Sequence, residues 1–181
     1  MKKRTVTFIF LILLLSFYSS LVLAKHDSDS GSHSPRPEVI QIRDLRDTAQ
    51  LAQARNLPIL IMFGTDECPY CRLLKEDFLV PMLISGDYTD KVIIREAHIS
   101  DGADIIDFSG KKISIDEFSN RYGVTLFPTM AFVDSNGQVL VNNIIGITTP
   151  SLFGGTLDDS IDRALLLTSK KLTKKNWPAS K

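Results

Sequence analysis

The chain has 181 residues, with 21 basic and 21 acidic side chains, a formal net charge of zero and 44% hydrophobic residues. That balance excludes a nucleic-acid binder held by charge, and the length suits one domain of ordinary size once a leader is removed. A domain of that size builds a core without a disulfide staple, which leaves the chain's two cysteines open to a chemical role.

Lys2, Lys3 and Arg4 make a positive start, residues 6–18 are almost wholly apolar, and Val22-Leu23-Ala24 ends the stretch. This is the order of a secretory signal, with cleavage expected after Ala24. The rival is an uncleaved signal-anchor, because residues 5–24 are long enough to span a bilayer. In both cases the rest of the chain is expected outside the cytoplasm, periplasmic or otherwise exported. Without residues 1–24 the chain keeps 18 basic and 21 acidic residues, a charge of −3. Residues 25–37 are mostly Ser, His, Asp, Gly and Pro and read as a flexible tether. Lys170, Lys171, Lys174, Lys175 and Lys181 crowd the other end. Residues 170–181 therefore read as a solvated basic tail, with weak attraction to anionic membrane as the alternative. The folded domain is expected over 38–169.

Residues 44–56 have helical spacing, with Leu45, Ala49, Leu51, Ala52 and Ala54 on a broad face. Pro58 then begins Ile59-Leu60-Ile61-Met62-Phe63, a short unbroken apolar run that predicts a strand buried on both faces. Residues 64–67 lead from it into Cys68-Pro69-Tyr70-Cys71, which holds both cysteines. Proline is favoured at the first helical position, so a helix is predicted from Pro69 with Cys68 as its cap. Leu73, Leu74, Phe78 and Leu79 continue its apolar face, and Pro81 is expected to end or kink it. Residues 92–99 predict a second strand and 100–112 a loop. Ser114-Ile115-Asp116-Glu117 fits a capping box, with Ser114 capping, Glu117 reaching back and Gly123 as the stop. Residues 129–133 predict a third strand, Asp134-Ser135-Asn136-Gly137 a turn, and 138–145 the antiparallel return. Residues 152–172 contain a last helix, carried by Ile161, Ala164, Leu165 and Thr168. This order calls for an α/β fold with helices packed on both faces of a sheet.

Two thiols at this spacing close and reopen a disulfide. The start of a helix carries unpaired N–H groups and partial positive charge, which favour a thiolate at Cys68. Cys68 is then the attacking nucleophile, and Cys71, one turn inward, resolves the mixed disulfide. Arg72 and Lys75 lower the Cys68 pKa where they turn towards it, and Asp66 and Glu67 raise it. Dithiols of this kind run from about −270 to about −120 mV, a range of roughly 7 kcal/mol, so a few local charges separate a reductant from an oxidant. A structural pair and a metal site are the alternatives. For a metal, the remaining histidines are His26, His33 and His98, and the first two lie in the tether; zinc takes four protein ligands, or three and water.

The chain resembles the thioredoxin-like superfamily from about residue 57 to 164. The resemblance rests on residues 59–63 before Cys68-Pro69-Tyr70-Cys71, on Arg121-Tyr122-Gly123-Val124, on Phe127-Pro128-Thr129, and on Gly137 in the hairpin. It implies a thioredoxin-like fold, with a central mixed sheet of about four strands. It also implies a cis bond before Pro128, placed beside Cys68, with Phe127 and Thr129 flanking the contact to a bound substrate strand. Pro69 and Tyr70 complete that expected surface. The Pro-Tyr dipeptide is the one seen in glutaredoxins, where cluster binding occurs. The export signal and the insertion at 100–113 are similar to secreted bacterial thioredoxin-related proteins, such as the SoxW-like group, and to the catalytic domain of disulfide isomerases. Three features depart from thioredoxin itself. Its buried Asp, six residues before the first cysteine and used in proton transfer, is here Met62. Its Trp before the cysteine is Glu67, and its Gly-Pro dipeptide is Pro-Tyr.

The resemblance therefore implies an exported protein-disulfide oxidoreductase, leaning to the reductase direction, with no cofactor and no metal. No dimerisation domain is evident, so a monomer is expected rather than a two-armed isomerase. Expected partners are disulfide- or thiol-containing secreted proteins and a membrane thiol-reductant transporter. The alternatives are a non-catalytic module that binds a client or a metal-handling partner, and a thiol oxidase or isomerase.

Overall fold

The structure is a computed structural model that describes residues 36–99 and 102–176. The signal or anchor expected over 1–24 and nearly all of the tether expected over 25–37 lie outside the described residues. Among the described residues no helix is long and apolar enough to cross a membrane.

Helix α1 (Leu45–Arg55) starts where the Asp44 carboxylate accepts the Arg46 N–H, and stops where Asn56 turns left-handed at φ 56°. Its buried stripe is Leu45, Thr48 and Ala52. That is narrower than the periodicity predicts, since Leu51 faces out. Strand β1 (Ile59–Gly64) is buried at every residue, as an unbroken apolar run requires. Strand β2 (Ile93–His98) lies parallel to it on one side, and β5 (Thr129–Val133) antiparallel on the other. Strand β6 (Val139–Ile145) pairs antiparallel with β5 at the edge, giving the order β2-β1-β5-β6.

Parallel β1 and β2 need a crossover, and the chain supplies a helical one. Helix α2 (Pro69–Leu74) widens into a π-helical turn, Lys75–Leu79, before α3 (Val80–Ser85). Pro81 thus neither ends the helix nor breaks it. Its ring would crowd the carbonyl four residues back in a regular helix, and the wide turn just before it, with the Val80 N–H bonded to Lys75 O, absorbs the misfit.

Residues 100–112, expected as a loop, are a small hairpin in their described part: β3 (Asp104–Ile106) pairs antiparallel with β4 (Lys112–Ser114). The turn is built on Asp107, whose Oδ1 accepts from the Ser109 N–H, the Ser109 hydroxyl and the Lys111 N–H. Helix α4 (Ile115–Arg121) has the expected cap, with Ser114 Oγ accepting the Glu117 N–H at 3.1 Å. The second half of the capping box is replaced: the Glu117 carboxylate binds Arg121 at 2.6 Å. Helix α5 (Pro150–Asn176) starts ahead of Gly154-Gly155 and continues through the lysines from 170 to 175.

Alternation along the strands sends side chains to two cores. Leu60, Met62, Ile94, Met130 and Phe132 face Cys71, Leu74 and Leu79 of the crossover and Phe153, Leu157 and Ile161 of α5. Ile59, Ile61, Phe63, Ile93, Ala131 and Val133 face Leu45 and Ala52 of α1 and Ile115 and Phe118 of α4. Helices therefore cover both faces of a four-stranded mixed sheet, the architecture expected above. At about 1.5–3 kcal/mol per buried large side chain, β1 alone anchors the sheet between both layers.

Candidate active site

The chain leaves β1 at Gly64 and enters α2 at Cys68. Cys68 is extended (φ −88°, ψ 106°) and caps the helix, with Pro69 in the first turn. Its Sγ accepts the Cys71 N–H at 3.1 Å, and its carbonyl accepts the N–H groups of Cys71 and Arg72. The two cysteines are joined as a disulfide, with Cα atoms 5.2 Å apart. Cys68 is half-buried and Cys71 has no exposed surface. The pair is thus unequal: Cys68 is partly open to solvent, while Cys71 meets only what the protein places beside it. When the pair is reduced, the free N–H groups of the helix start favour the Cys68 thiolate.

Gly64 makes room for this arrangement. A Cβ built on it would stand 2.9 Å from Cys71 Sγ, 3.2 Å from Cys71 Cβ and 3.0 Å from Met62 Cε. The sulfur of Cys71 therefore rests directly on the β1 backbone, and only glycine leaves the space.

The register of β5 against β1 sets Thr129 opposite Phe63, so residues 127–129 and the cysteine loop lie at the same end of the sheet. The Phe127–Pro128 peptide is cis. Pro128 is buried and its carbonyl accepts the Gly146 N–H at 2.8 Å, while Thr129 turns its hydroxyl back to Leu126 O at 2.8 Å. Phe127 is exposed, as are Tyr70 and Leu126. Ile145, paired with Thr129, is exposed at the same end. Apolar side chains are thus exposed at the end of the sheet that carries the accessible sulfur, and Pro69 and Tyr70 are exposed in the cysteine motif itself. Tyr122, by contrast, packs its ring against Phe63 and Phe118.

Sequence reasoning named Lys75, Asp66 and His98 but missed Glu96, which joins them on the Cys71 face of the sheet. Lys75 turns inward, with Nζ 2.9 Å from Glu96 Oε1. Glu96 is 2% exposed, yet sits mid-strand beside Met62. His98, at the end of β2, lies between two carboxylates: Nδ1 is 3.9 Å from Glu96 Oε1 and Nε2 is 3.5 Å from Asp66 Oδ2. The one available signal was that β2 carries Arg95, Glu96 and His98 next to its apolar start. Among the described residues no group of three or more His, Cys, Asp or Glu is placed to hold a metal ion.

A cleft of about 700 Å³ lies at the other end of the sheet, beside the turn after β5, and shares no residue with the cysteine motif. Its Asp107, Ser109, Arg121 and Tyr122 side chains are engaged in structure. Burial would raise the Asp107 carboxyl, but hydrogen bonds from Ser109, Arg121 and the Lys111 N–H hold it well below the usual range. Burial pushes the Tyr122 hydroxyl up to about 12, and that hydroxyl donates to Gly137 O at 3.0 Å.

Over residues 45–161 the chain matches the family described as thioredoxin-like domain. No curated protein matches it. Among solved structures it is similar to mitochondrial thioredoxin 3 from Saccharomyces cerevisiae in the oxidized form: 19% identity, 66% of this chain and 94% of that one, TM-score 0.43. It is similar to thioredoxin O2 from Arabidopsis thaliana in the oxidized state, at 20% identity over 69% of this chain and 96% of that one, TM-score 0.46. A thioredoxin-fold protein from Helicobacter pylori gives 21% identity over 67% and 87%, TM-score 0.45.

Proposed function

The chain belongs to the thioredoxin-like domain family, and from that premise we propose that it is a protein-disulfide oxidoreductase that exchanges its Cys68–Cys71 disulfide with partner proteins and runs as a reductase. The observation that carries the reading is the inequality of the pair at a helix start, with Cys68 open and hydrogen-bonded, and Cys71 sealed beneath it. In the reduced protein the Cys68 thiolate attacks a partner disulfide. One partner sulfur leaves as a thiolate and the other stays bound to Cys68. The Cys71 thiolate then attacks Cys68, the partner's second sulfur leaves, and the two electrons have passed from the dithiol to the partner. The exposed Tyr70 and Phe127 and the cis Pro128 are proposed to hold the partner strand beside Cys68.

Residues 1–24 support a site of action outside the cytoplasm, where disulfide-containing secreted proteins are the clients and a membrane thiol-reductant transporter renews the dithiol. Insulin reduction with dithiothreitol is the first test. The wild type accelerates precipitation and Cys68→Ala does not; equal rates for the two would sink the enzyme reading in favour of a non-catalytic binding module. Cys71→Ser is expected to accumulate a mixed disulfide with the natural client.

A further inference from the structure

A charged pair in a core is rarely explained by stability, because desolvation offsets most of the attraction and apolar replacements are often as stable. Lys75 and Glu96 therefore need another reason to lie on the face of the sheet that Cys71 packs against. Their position is fixed from two directions. Lys75 is four residues past Cys71, so both sit on one helix face, and Lys75 Nζ reaches Glu96 Oε1 at 2.9 Å. On the sheet, Leu60, Met62 and Gly64 share a face with their partners Ile94, Glu96 and His98. Cys71 Sγ rests on that face at Gly64 and beside Met62. Glu96 and His98 are the next strand over, one spacing of about 4.8 Å away.

Resting on the exchange reading above, we propose that Glu96 and His98 form the proton relay that serves the buried Cys71, with Asp66 as its outlet. Cys71 must lose a proton to attack Cys68, and it has no exposed surface from which water can take it. Glu96 accepts that proton as the Cys71 sulfur bonds to Cys68 and the partner sulfur leaves as a thiolate. His98 takes it at Nδ1 and releases another from Nε2 towards Asp66, whose carboxylate is 78% exposed. Oxidation of a partner runs the same path backwards. One detail fits this assignment. His98 Nδ1 is buried with no hydrogen-bond partner among the described residues, and faces Glu96 Oε1 at 3.9 Å. A proton held between that nitrogen and Glu96 Oε1 satisfies it, whichever of the two carries it. The other groups around Glu96 are the Lys75 ammonium, Met62 on β1 and Gln41 on the far side of β2. Lys75 is a positioning residue, since it fixes the carboxylate on the Cys71 face of the sheet.

The experiment follows the two exchange steps separately in the full chain, using the reduced protein and dithiobis-nitrobenzoate as probe. The first thiolate released reports attack by Cys68, and the second reports attack by Cys71 on the mixed disulfide. In Glu96→Gln the second release is expected to slow about 100-fold near neutral pH, the typical weight of one proton-transfer group, while the first stays within about twofold. The deficit shrinks as pH rises, because a growing share of Cys71 is then already thiolate before it attacks Cys68. His98→Gln, which leaves the Lys75–Glu96 pair in place, gives a weaker version of the same pattern. Should Glu96→Gln fail to fold, the double variant Lys75→Met/Glu96→Gln removes both charges and replaces it. Second-step rates at the wild-type level in the Glu96 variant and in His98→Gln would overturn the relay, as would a loss that is equal at every pH. Wild type that releases no thiolate at all would instead defeat the exchange reading itself.

Discussion

Gly64→Ala is the sharpest probe of how the fold sets the redox balance. The added methyl would lie 2.9 Å from Cys71 Sγ and 3.2 Å from Cys71 Cβ, closer than carbon and sulfur pack. It would also lie 3.0 Å from Met62 Cε, but that is the end of a flexible side chain and can swing away. The sulfur cannot do so while it is tied to Cys68. In the dithiol, Cys71 is free to change rotamer, so most of the strain falls on the disulfide form. Overpacking by one methyl costs about 1–3 kcal/mol. The entropic gain of replacing glycine acts through the unfolded chain and is common to both redox forms, so it cancels. Converted at about 1.4 kcal/mol per 30 mV, the disulfide becomes easier to reduce and the potential rises by about 20–65 mV. The assay is equilibration of wild type and variant in glutathione buffers, with the reduced fraction read after thiol alkylation. An unchanged or lower potential would refute the argument that Cys71 rests on the β1 backbone.

Asp107→Asn should lower stability at neutral pH by about 1–3 kcal/mol, because Arg121 and the β3–β4 turn lose a charged acceptor. The Asp107 carboxyl titrates below its unfolded value of about 3.9, so its contribution is full above that pH and is lost as pH falls through the folded value. Urea titrations across the acid range should show a shallower loss in the variant, and a loss parallel to wild type would contradict the assignment. Tyr122→Phe should cost about 0.5–1.5 kcal/mol for the lost bond to Gly137 O. With the Tyr122 hydroxyl pushed up to about 12 by burial, its stabilisation is full below about pH 10 and fades as pH rises towards the folded value. Removal of the hydroxyl should therefore flatten the alkaline limb of thermal unfolding, and an unaltered limb would count against burial as the cause.

The parts of the fold legible in the chain were those in which neighbouring residues carry the whole signal. Five apolar residues in a row from Ile59, and a proline directly after Cys68, place β1 and the start of α2 without help from elsewhere. The hairpin of β3 and β4 was hidden because three-residue strands are too short to show alternation. What holds it is non-local: Arg121 from α4 reaches Asp107 at 2.7 Å, and Asp44 bridges to Ile106. The early start of α5 was masked by Gly154-Gly155, which local propensity disfavours. Tertiary contact overrides it, with Phe153 set edge-on to Phe78 at 4.8 Å.

The same division runs through the site. The two cysteines lie in one turn, so spacing reveals them; the groups proposed to move the Cys71 proton are supplied by another strand, and only register reveals those. Along the chain, Met62 removes the acid that the family resemblance led one to look for. Across the sheet, the residue level with Met62 is Glu96. Two changes must then accompany each other. A carboxylate brought in from β2 needs a cation to be tolerated in the core, and Lys75 supplies it from the helix above the sheet. The π-helical turn that starts at Lys75 lies where the helix must both reach down to Glu96 and prepare for Pro81. On β2 the carboxylate has His98 two residues along the same face, and His98 has Asp66 at the surface. Moving the acid one strand sideways thus aligns it with a path to solvent, which is why the cluster on the Cys71 face reads as part of the chemistry and not as packing.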